Sequence, residues 1–175
     1  MKYASILMLA LMLGCSSQNK DEAEAAKQDK AVIEQRIAAY HDGLRRALRG
    51  GEVSTDKLLD GFFVHDVYYV TYWGVAEPLD STKARIKRLV GKVSNFESSF
   101  ENLTVKVYGD GASAFFIQRQ KYTVNGATLD EYLPTTYVLE RRDGIWMVVH
   151  AQRSADFQTI QQQLELARAA GAAQK

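Results

Sequence analysis

The chain has 175 residues, 22 Lys and Arg against 21 Asp and Glu, and one cysteine. The even balance excludes a nucleic-acid binder that works through bulk charge, and a solitary cysteine excludes an internal disulfide. The length fits one compact domain with a real core.

The chain starts MKYASILMLALMLGCSS: a basic start at Lys2, an unbroken apolar run from Tyr3 to Leu13, then Gly14 and Cys15. The run is roughly half the ~20 residues that a spanning helix needs, which is the pattern of a secretory signal rather than a permanent anchor. Its ending, MLGC, resembles the lipobox of bacterial lipoproteins, with Gly14 on the cleaved side and Cys15 as the lipidated first residue; Met12 and Leu13 are looser than the usual Leu and small residue. The resemblance implies several acyl chains, and each buried methylene adds ~0.8 kcal/mol of membrane affinity. Ser16 after the cysteine implies, in a Gram-negative host, a lipoprotein of the outer membrane facing the periplasm. Residues 1–14 are thus read as signal peptide. Residues 15–29, without a large apolar side chain, are read as a solvated tether whose Ala and Glu content can extend the following helix.

A domain is expected over residues 30–155. From Lys30 to Arg49 the residues Ile33, Ile37, Tyr40, Leu44 and Leu48 recur at helical intervals until Gly50 and Gly51 stop the pattern. His41 and Asp42 flank this stripe, where they either look into a cavity or, in the plainer reading, lie on a solvated edge. A short helix follows in STDKLLDGFF, capped by Ser54 or Thr55. The aromatic and β-branched run FFVHDVYYVTYWG reads as a strand closed by Gly74. His65 and Asp66, being successive in it, diverge to opposite faces, while Phe62, Tyr68 and Tyr72, with Phe116, read as core or cavity wall. Asp80 or Ser81 caps a third helix whose stripe is Ile86, Leu89, Val90 and Val93, with Lys83, Arg85, Lys87, Arg88 and Lys92 on a solvated basic face.

After Ser94 the pattern turns to alternation. Leu103, Val105 and Val107 lead to GDG, then ASAFFIQRQKYTV, Asn125-Gly126, ATLDEYLPTTYVLERR, Asp143-Gly144 and IWMVVHAQRS. Asn-Gly and Asp-Gly tolerate positive φ and favour tight hairpins, so this half is an antiparallel meander. Pro134 marks a bulge or bend. Residues 156–175 read as a terminal helix, with Phe157, Ile160 and Leu164 on one side, and a frayed tail.

The order helix, short helix, strand, helix and long antiparallel strands resembles the nuclear-transport-factor-two-like (NTF2-like) superfamily, and within it the SnoaL-like group and the association domain of calcium/calmodulin-dependent kinase II. FFVHDVYYVTYWG, STKARIKRL, YGDGASAFF and above all RRDGIWMVVHAQRS bear the likeness: Trp146, His150 and Ser154 keep a relative's spacing, while Gln152 stands where a second histidine is common. The resemblance implies an α+β, cone-shaped fold with a strongly curved antiparallel sheet wrapped around the N-terminal helices. It also implies a cavity at the wide end, dimers through the outer sheet face, and chemistry without metal or nucleotide. Such a fold hosts unrelated activities.

Along the last strand, Trp146, Val148, His150 and Gln152 share one face and Met147, Val149, Ala151 and Arg153 the other, so His150 and Arg153 cannot both face a cavity unless a bulge intervenes. His150 is the candidate proton donor or acceptor, although a place in the sheet or dimer face is the plainer reading. Tyr40, Tyr72, Trp73, Phe116, Tyr132, Gln152 and Arg153 are the candidate ligand-binding residues. Steroid-isomerase relatives keep an aspartate base three residues before the glycine that ends the first strand; here Thr71 stands there, and Thr135, Thr136 and Tyr137 replace their protonated aspartate. That mechanism does not transfer. Asp130 and Glu131, as neighbours in a strand, diverge. Phosphate-loop, nucleophile-elbow and metal-ligand spacings are absent from the sequence, so no cofactor and no metal is expected. The expected function is a lipid-anchored, periplasm-facing domain, homodimeric, that binds a small apolar or aromatic molecule or serves in assembly. The alternatives are a cofactor-independent lyase, isomerase or cyclase using His150, and a domain that docks a protein partner on its outer sheet face.

Overall fold

The computed structural model describes the backbone of residues 4–50 and 53–172, and side chains over 22–50 and 53–169. The side chain of Cys15 and the first residues of the expected signal peptide lie outside these bounds. Helix α1 runs Ala4–Leu48, continuously through the segment read as a tether, and the described side chains of residues 22–28 are mostly exposed. Among the described residues no helix is long and apolar enough to cross a membrane.

The expected stripe of α1, from Ile33 to Leu48, is buried and forms one side of the core. Helix α2, Thr55–Asp60, starts at Ser54, whose side chain accepts from the Lys57 amide. Strand β1, Phe63–Val70, stops earlier than the aromatic run suggests. Thr71 to Gly74 forms a turn, with Gly74 at φ 74°, which returns the chain as the short strand β2, Ala76–Glu77. Helix α3, Leu79–Leu89, buries Ile86, but Val90 is left exposed at its end and Val93 belongs to the next strand. Strands β3, Val93–Tyr108, β4, Gly111–Val124, β5, Ala127–Arg142, and β6, Ile145–Arg153, make the meander. Asn125-Gly126 and Asp143-Gly144 all sit at positive φ, as tight hairpins require.

The six strands form one open sheet in the order β2-β1-β6-β5-β4-β3, antiparallel except for the β1–β6 pair. The sheet curves around α1, and its inner face alternates cleanly: Ala112, Ala114, Phe116 and Gln118 on β4, and Leu133, Thr135, Tyr137 and Leu139 on β5, are all buried.

Two local irregularities depart from the simple alternation. In β1 the pairing with β6 shifts between Phe63 and Tyr68, so His65 and Asp66 do not diverge: both are exposed. Pro134 makes no bulge; it pairs in register with Ile117, and its carbonyl accepts from the Ser154 amide. In a strand the N–H points the same way as the C=O, here toward the point where the β5–β6 ladder ends after Arg153, so the missing donor breaks nothing.

Helix α4, Phe157–Ala172, does not dock by the expected apolar side, for Phe157 and Leu164 are exposed. It is held to β5 by polar contacts: the Tyr132 amide donates to Thr159 Oγ1, the Asp130 amide to Gln162 Oε1, and Gln163 Nε2 to Glu131 Oε1.

The start of the folded domain is fixed by Asp29, which pairs with Arg141 and accepts from Trp146 Nε1 at 3.2 Å, while the Arg141 guanidinium lies 4.8 Å from the Trp146 ring. Asp29 therefore belongs to the domain, one residue before the expected boundary. Asp29→Ala leaves the indole N–H of a fully buried tryptophan unpaired, which costs about 1–3 kcal/mol. The expected result is a midpoint of thermal unfolding lowered by several degrees, whereas Asp42→Ala, on an exposed carboxylate, leaves the midpoint close to wild type.

Candidate functional site

One residue more in β6 than in β5 decides what faces inward. Val138 pairs with His150 and Leu139 with Val148, so Val149 is a bulge. Before it Trp146 and Val148 point inward; after it Ala151 and Arg153 do. His150 and Gln152 are thereby turned to the outer face. This corrects the expectation of a proton-transferring His150 in the cavity: the ring stacks on Tyr68 of β1, centroids 5.7 Å apart, and Tyr68 itself is exposed rather than core.

The inward-pointing Arg153 lies where two hollows meet. The inner one, about 230 Å³, is enclosed by α1, α3, α4 and the inner sheet face: Leu44, Leu48, Ile86, Leu89, Val93, Phe96 and Leu133 supply its apolar wall. The outer one, about 290 Å³, opens past Trp73 and Val75 of the β1–β2 turn. Tyr69, Tyr72, Arg85 and Arg153 line both.

Of the expected ligand-binding residues, Tyr40, Tyr72, Trp73 and Arg153 line this double cavity. Three do not. Phe116 is fully buried beneath it, edge-on to His41 and Tyr137. The guanidinium of Arg119 lies 4.8 Å from the ring of Tyr132, on the side of β5 away from the hollow, and Gln152 is exposed on the outer face.

Glu131 is not among the expected site residues, although it does diverge from Asp130 as strand neighbours must: Asp130 is exposed and Glu131 faces inward. It is buried at 3% exposure, on the same parity as Leu129, Leu133 and Tyr137, and lines the inner hollow. Counting in twos back from Tyr137 would have found it. Tyr122 Oη donates to Glu131 Oε1 at 3.0 Å and Gln163 Nε2 to the same oxygen at 2.5 Å, which leaves Oε2 without either. Burial raises the Glu131 carboxyl above the usual range, partly offset by these two bonds and by Arg153 and Arg85. Burial also drives the phenol of Tyr72 up to about 12 and that of Tyr122 higher still.

The two arginines differ. Arg85 gives Nε and Nη2 to Glu77 Oε1, at 3.2 and 2.6 Å. Arg153 takes part in no ion pair among the described residues, and its Nε is enclosed without an acceptor, as is the Tyr137 hydroxyl. Both guanidinium carbons lie within 6 Å of the Tyr69 ring, at 5.9 and 5.8 Å. Burial works against the charge on Arg153, but Tyr69, Tyr137 and Tyr40 around it keep its pKa above the ordinary guanidinium value.

A larger groove of about 480 Å³ lies between α1 and β3, outside the cone. It is open to solvent, and its Asp42 is already paired with Arg45 and with Arg46. Beside it His41 is buried rather than at a solvated edge. Gln118 Nε2 lies 3.2 Å from its Nδ1, and burial lowers its pKa to about 3, so the ring is neutral at physiological pH. Among the described residues no three His, Cys, Asp or Glu side chains gather where they could share a metal ion.

The raised pKa of Glu131 has a thermodynamic sign. Above the ordinary carboxyl range the unfolded chain gives up a proton that the folded one retains, so folding loses stability as pH rises from about 4.5 through the folded pKa. Glu131→Gln keeps an acceptor for Tyr122 and removes that loss. Thermal melts are expected to show the variant gaining on wild type as pH rises from 4 to 8; a constant difference across that range would contradict the desolvated carboxylate.

No protein-family model matches the sequence, and no curated protein matches it. Solved structures do. An NTF2-like protein with a cystatin-like fold from Novosphingobium aromaticivorans superposes at a TM-score of 0.63 with 17% identity, over 79% of this chain and 88% of that one. A proposed dehydratase of the NTF2-like family from Streptomyces avermitilis gives 0.62 at 11% identity, over 75% and 99%. A proposed calcium/calmodulin-dependent kinase II association domain from Xanthomonas campestris gives 0.54 at 22%, over 69% and 86%. The chain has the NTF2-like, cystatin-like α+β fold, as the resemblance of its strands implied.

Proposed function

We propose that the domain binds a small, largely apolar or aromatic molecule in the double cavity at the wide end of its cone, and that it does so while held to a bacterial outer membrane by lipid on Cys15, facing the periplasm. The observation that carries the binding reading is a sheltered hollow with a largely apolar wall, lined by an arginine, Arg153, whose buried Nε has no partner of its own. The anchor rests on the sequence alone, on the apolar run that ends in MLGC. An enzymatic version is the runner-up, a cofactor-independent lyase, isomerase or cyclase, and its acid or base is Glu131 rather than His150. Glu131 is a buried carboxylate in the cavity with a raised pKa; among the solved structures with this fold, one is a proposed dehydratase.

Mass spectrometry of the protein purified from its native membrane tests both parts. The expected spectrum shows a mature chain beginning at an acylated Cys15 and, on denaturation, release of a small molecule that the cavity-filling variant Ile86→Trp does not carry. An unmodified N-terminus removes the anchor; a chain that releases nothing, equally in both proteins, removes the ligand.

A second reading concerns assembly. Tyr68, Phe115 and Val138 are exposed together on the outer sheet face beside His150, where neighbouring strands place them in adjacent rows. We propose that this apolar face joins two copies in a homodimer. Sedimentation should show a dimer for the wild type and a monomer for Val138→Asp. The same mass for both would count against it.

A further inference from the structure

The polar groups left over in the cavity define the chemistry of its occupant. This inference rests on the small-molecule reading above and narrows it. Around the meeting point of the two hollows there are two cations and two carboxylates, but they are not equivalent. Arg85 is neutralised by Glu77. Arg153 has no counter-ion within ion-pair distance among the described residues, and its Nε lacks an acceptor although it is cut off from solvent. Enclosing a guanidinium N–H without an acceptor is costly unless something else supplies one. Deeper in the inner hollow, Glu131 directs Oε1 to Tyr122 and Gln163 and leaves Oε2 unused. The same hollow is lined by hydrocarbon from Leu44, Leu48, Ile86, Leu89 and Val93 and by the ring of Phe96, with Thr82 and Gln120 as further polar groups.

We infer that the natural ligand is a compact monocarboxylate, its anionic group held by Arg153 near the mouth and an O–H or N–H donor at its other end held by Glu131 Oε2, with a ring or short hydrocarbon between. A carboxylate supplies the planar acceptor pair that a guanidinium fork matches. The donor at the far end engages the Glu131 oxygen that Tyr122 and Gln163 do not use. The inner volume of about 230 Å³ equals roughly eight waters of liquid, enough for a single ring and its substituents. The sequence order makes the pairing intelligible: Arg153 and Glu131 lie on neighbouring strands β6 and β5, and each is on the inner face.

Matched fragments test the class without knowledge of the natural molecule. The full chain is titrated with 3-hydroxybenzoate, benzoate and 3-hydroxybenzamide up to tens of millimolar, and methyl resonances of Ile86, Val93 and Leu133 report occupancy of the inner hollow. The acid is expected to bind about tenfold or more tighter than the amide. Arg153→Gln should reduce that preference nearly to none, and Arg153→Lys should retain part of it. Benzoate should bind several-fold more weakly than its hydroxylated relative, and Glu131→Gln should narrow that gap. Equal affinity of acid and amide for the wild type, with methyl shifts present, overturns the anionic class but leaves the small-molecule reading standing. Absence of methyl shifts with every probe overturns the small-molecule reading itself. The acid-to-amide comparison needs only wild-type protein, so a variant that fails to fold does not remove the test.

Discussion

The inward position of Arg153 depends on a single surplus residue. Strand β6 has to seat Trp146 in the core at one end, where Asp29 receives its indole N–H, and to place a guanidinium in the cavity at the other. Seven positions separate the two residues, an odd number, and a regular strand would turn them to opposite faces. The bulge at Val149 restores the parity. It has two further effects. It rotates His150 and Gln152 onto the outer face, and it leaves Ala151, a small side chain, at the floor next to Tyr69, where Arg153 needs room.

The cavity exists because the elements that close it bring different chemistry. Helices α1 and α3 bring aliphatic side chains, while α4 brings the amide of Gln163, and its apolar residues Phe157 and Leu164 remain on the outside. A helix that docked by its apolar stripe would have pushed that stripe over β5 and filled the hollow. Docking through Thr159, Gln162 and Gln163 instead satisfies backbone amides at the edge of the meander and one oxygen of Glu131. Such a helix is held by few hydrogen bonds and little buried hydrocarbon, so it belongs to the less stable parts of the molecule.

How much of this could be read from the sequence varied with the regularity of the backbone. The stripe Ile33 to Leu48 and the tight Asn125-Gly126 and Asp143-Gly144 hairpins obey one rule each, and these are legible. Strand β3 begins ten residues before Leu103, and Asn95 and Asn102 adopt positive φ at two register shifts that scramble the alternation between them, so residue types alone do not show which of its residues face inward. The face that His150 occupies is not legible for the same reason: a bulge leaves no mark in residue types. Glu131 was hidden differently. Its parity was plain, but a carboxylate among apolar neighbours reads as a break in the pattern unless a tyrosine and a glutamine from elsewhere are known to meet it, and Gln163 comes from a helix 32 residues further on. Aromatic residues misled through abundance: Phe116 and Tyr40 are equally plausible walls in sequence, yet only the latter reaches the hollow.

The direction of α1 bears on where a ligand comes from. Asp29 meets Trp146 at the start of β6, whereas Leu44 and Leu48 line the cavity beside Arg153, at its end. Helix and strand thus run the same way, and the residues before Asp29 leave the domain at the end opposite the cavity. With α1 continuous from Ala4, Cys15 lies about 20 Å further back along its axis. The proposed lipid at that point would direct the cavity mouth, with Trp73 and Val75 on its rim, away from a bilayer. A molecule dissolved in the lipid would have to cross water to reach such a mouth, whereas one dissolved in the aqueous compartment meets it directly. A monocarboxylate with a polar far end is soluble enough to arrive by that route, and the charge on Arg153 favours its capture there. An anchor at Cys15, as proposed, and the charge of the cavity would therefore select the same class of ligand.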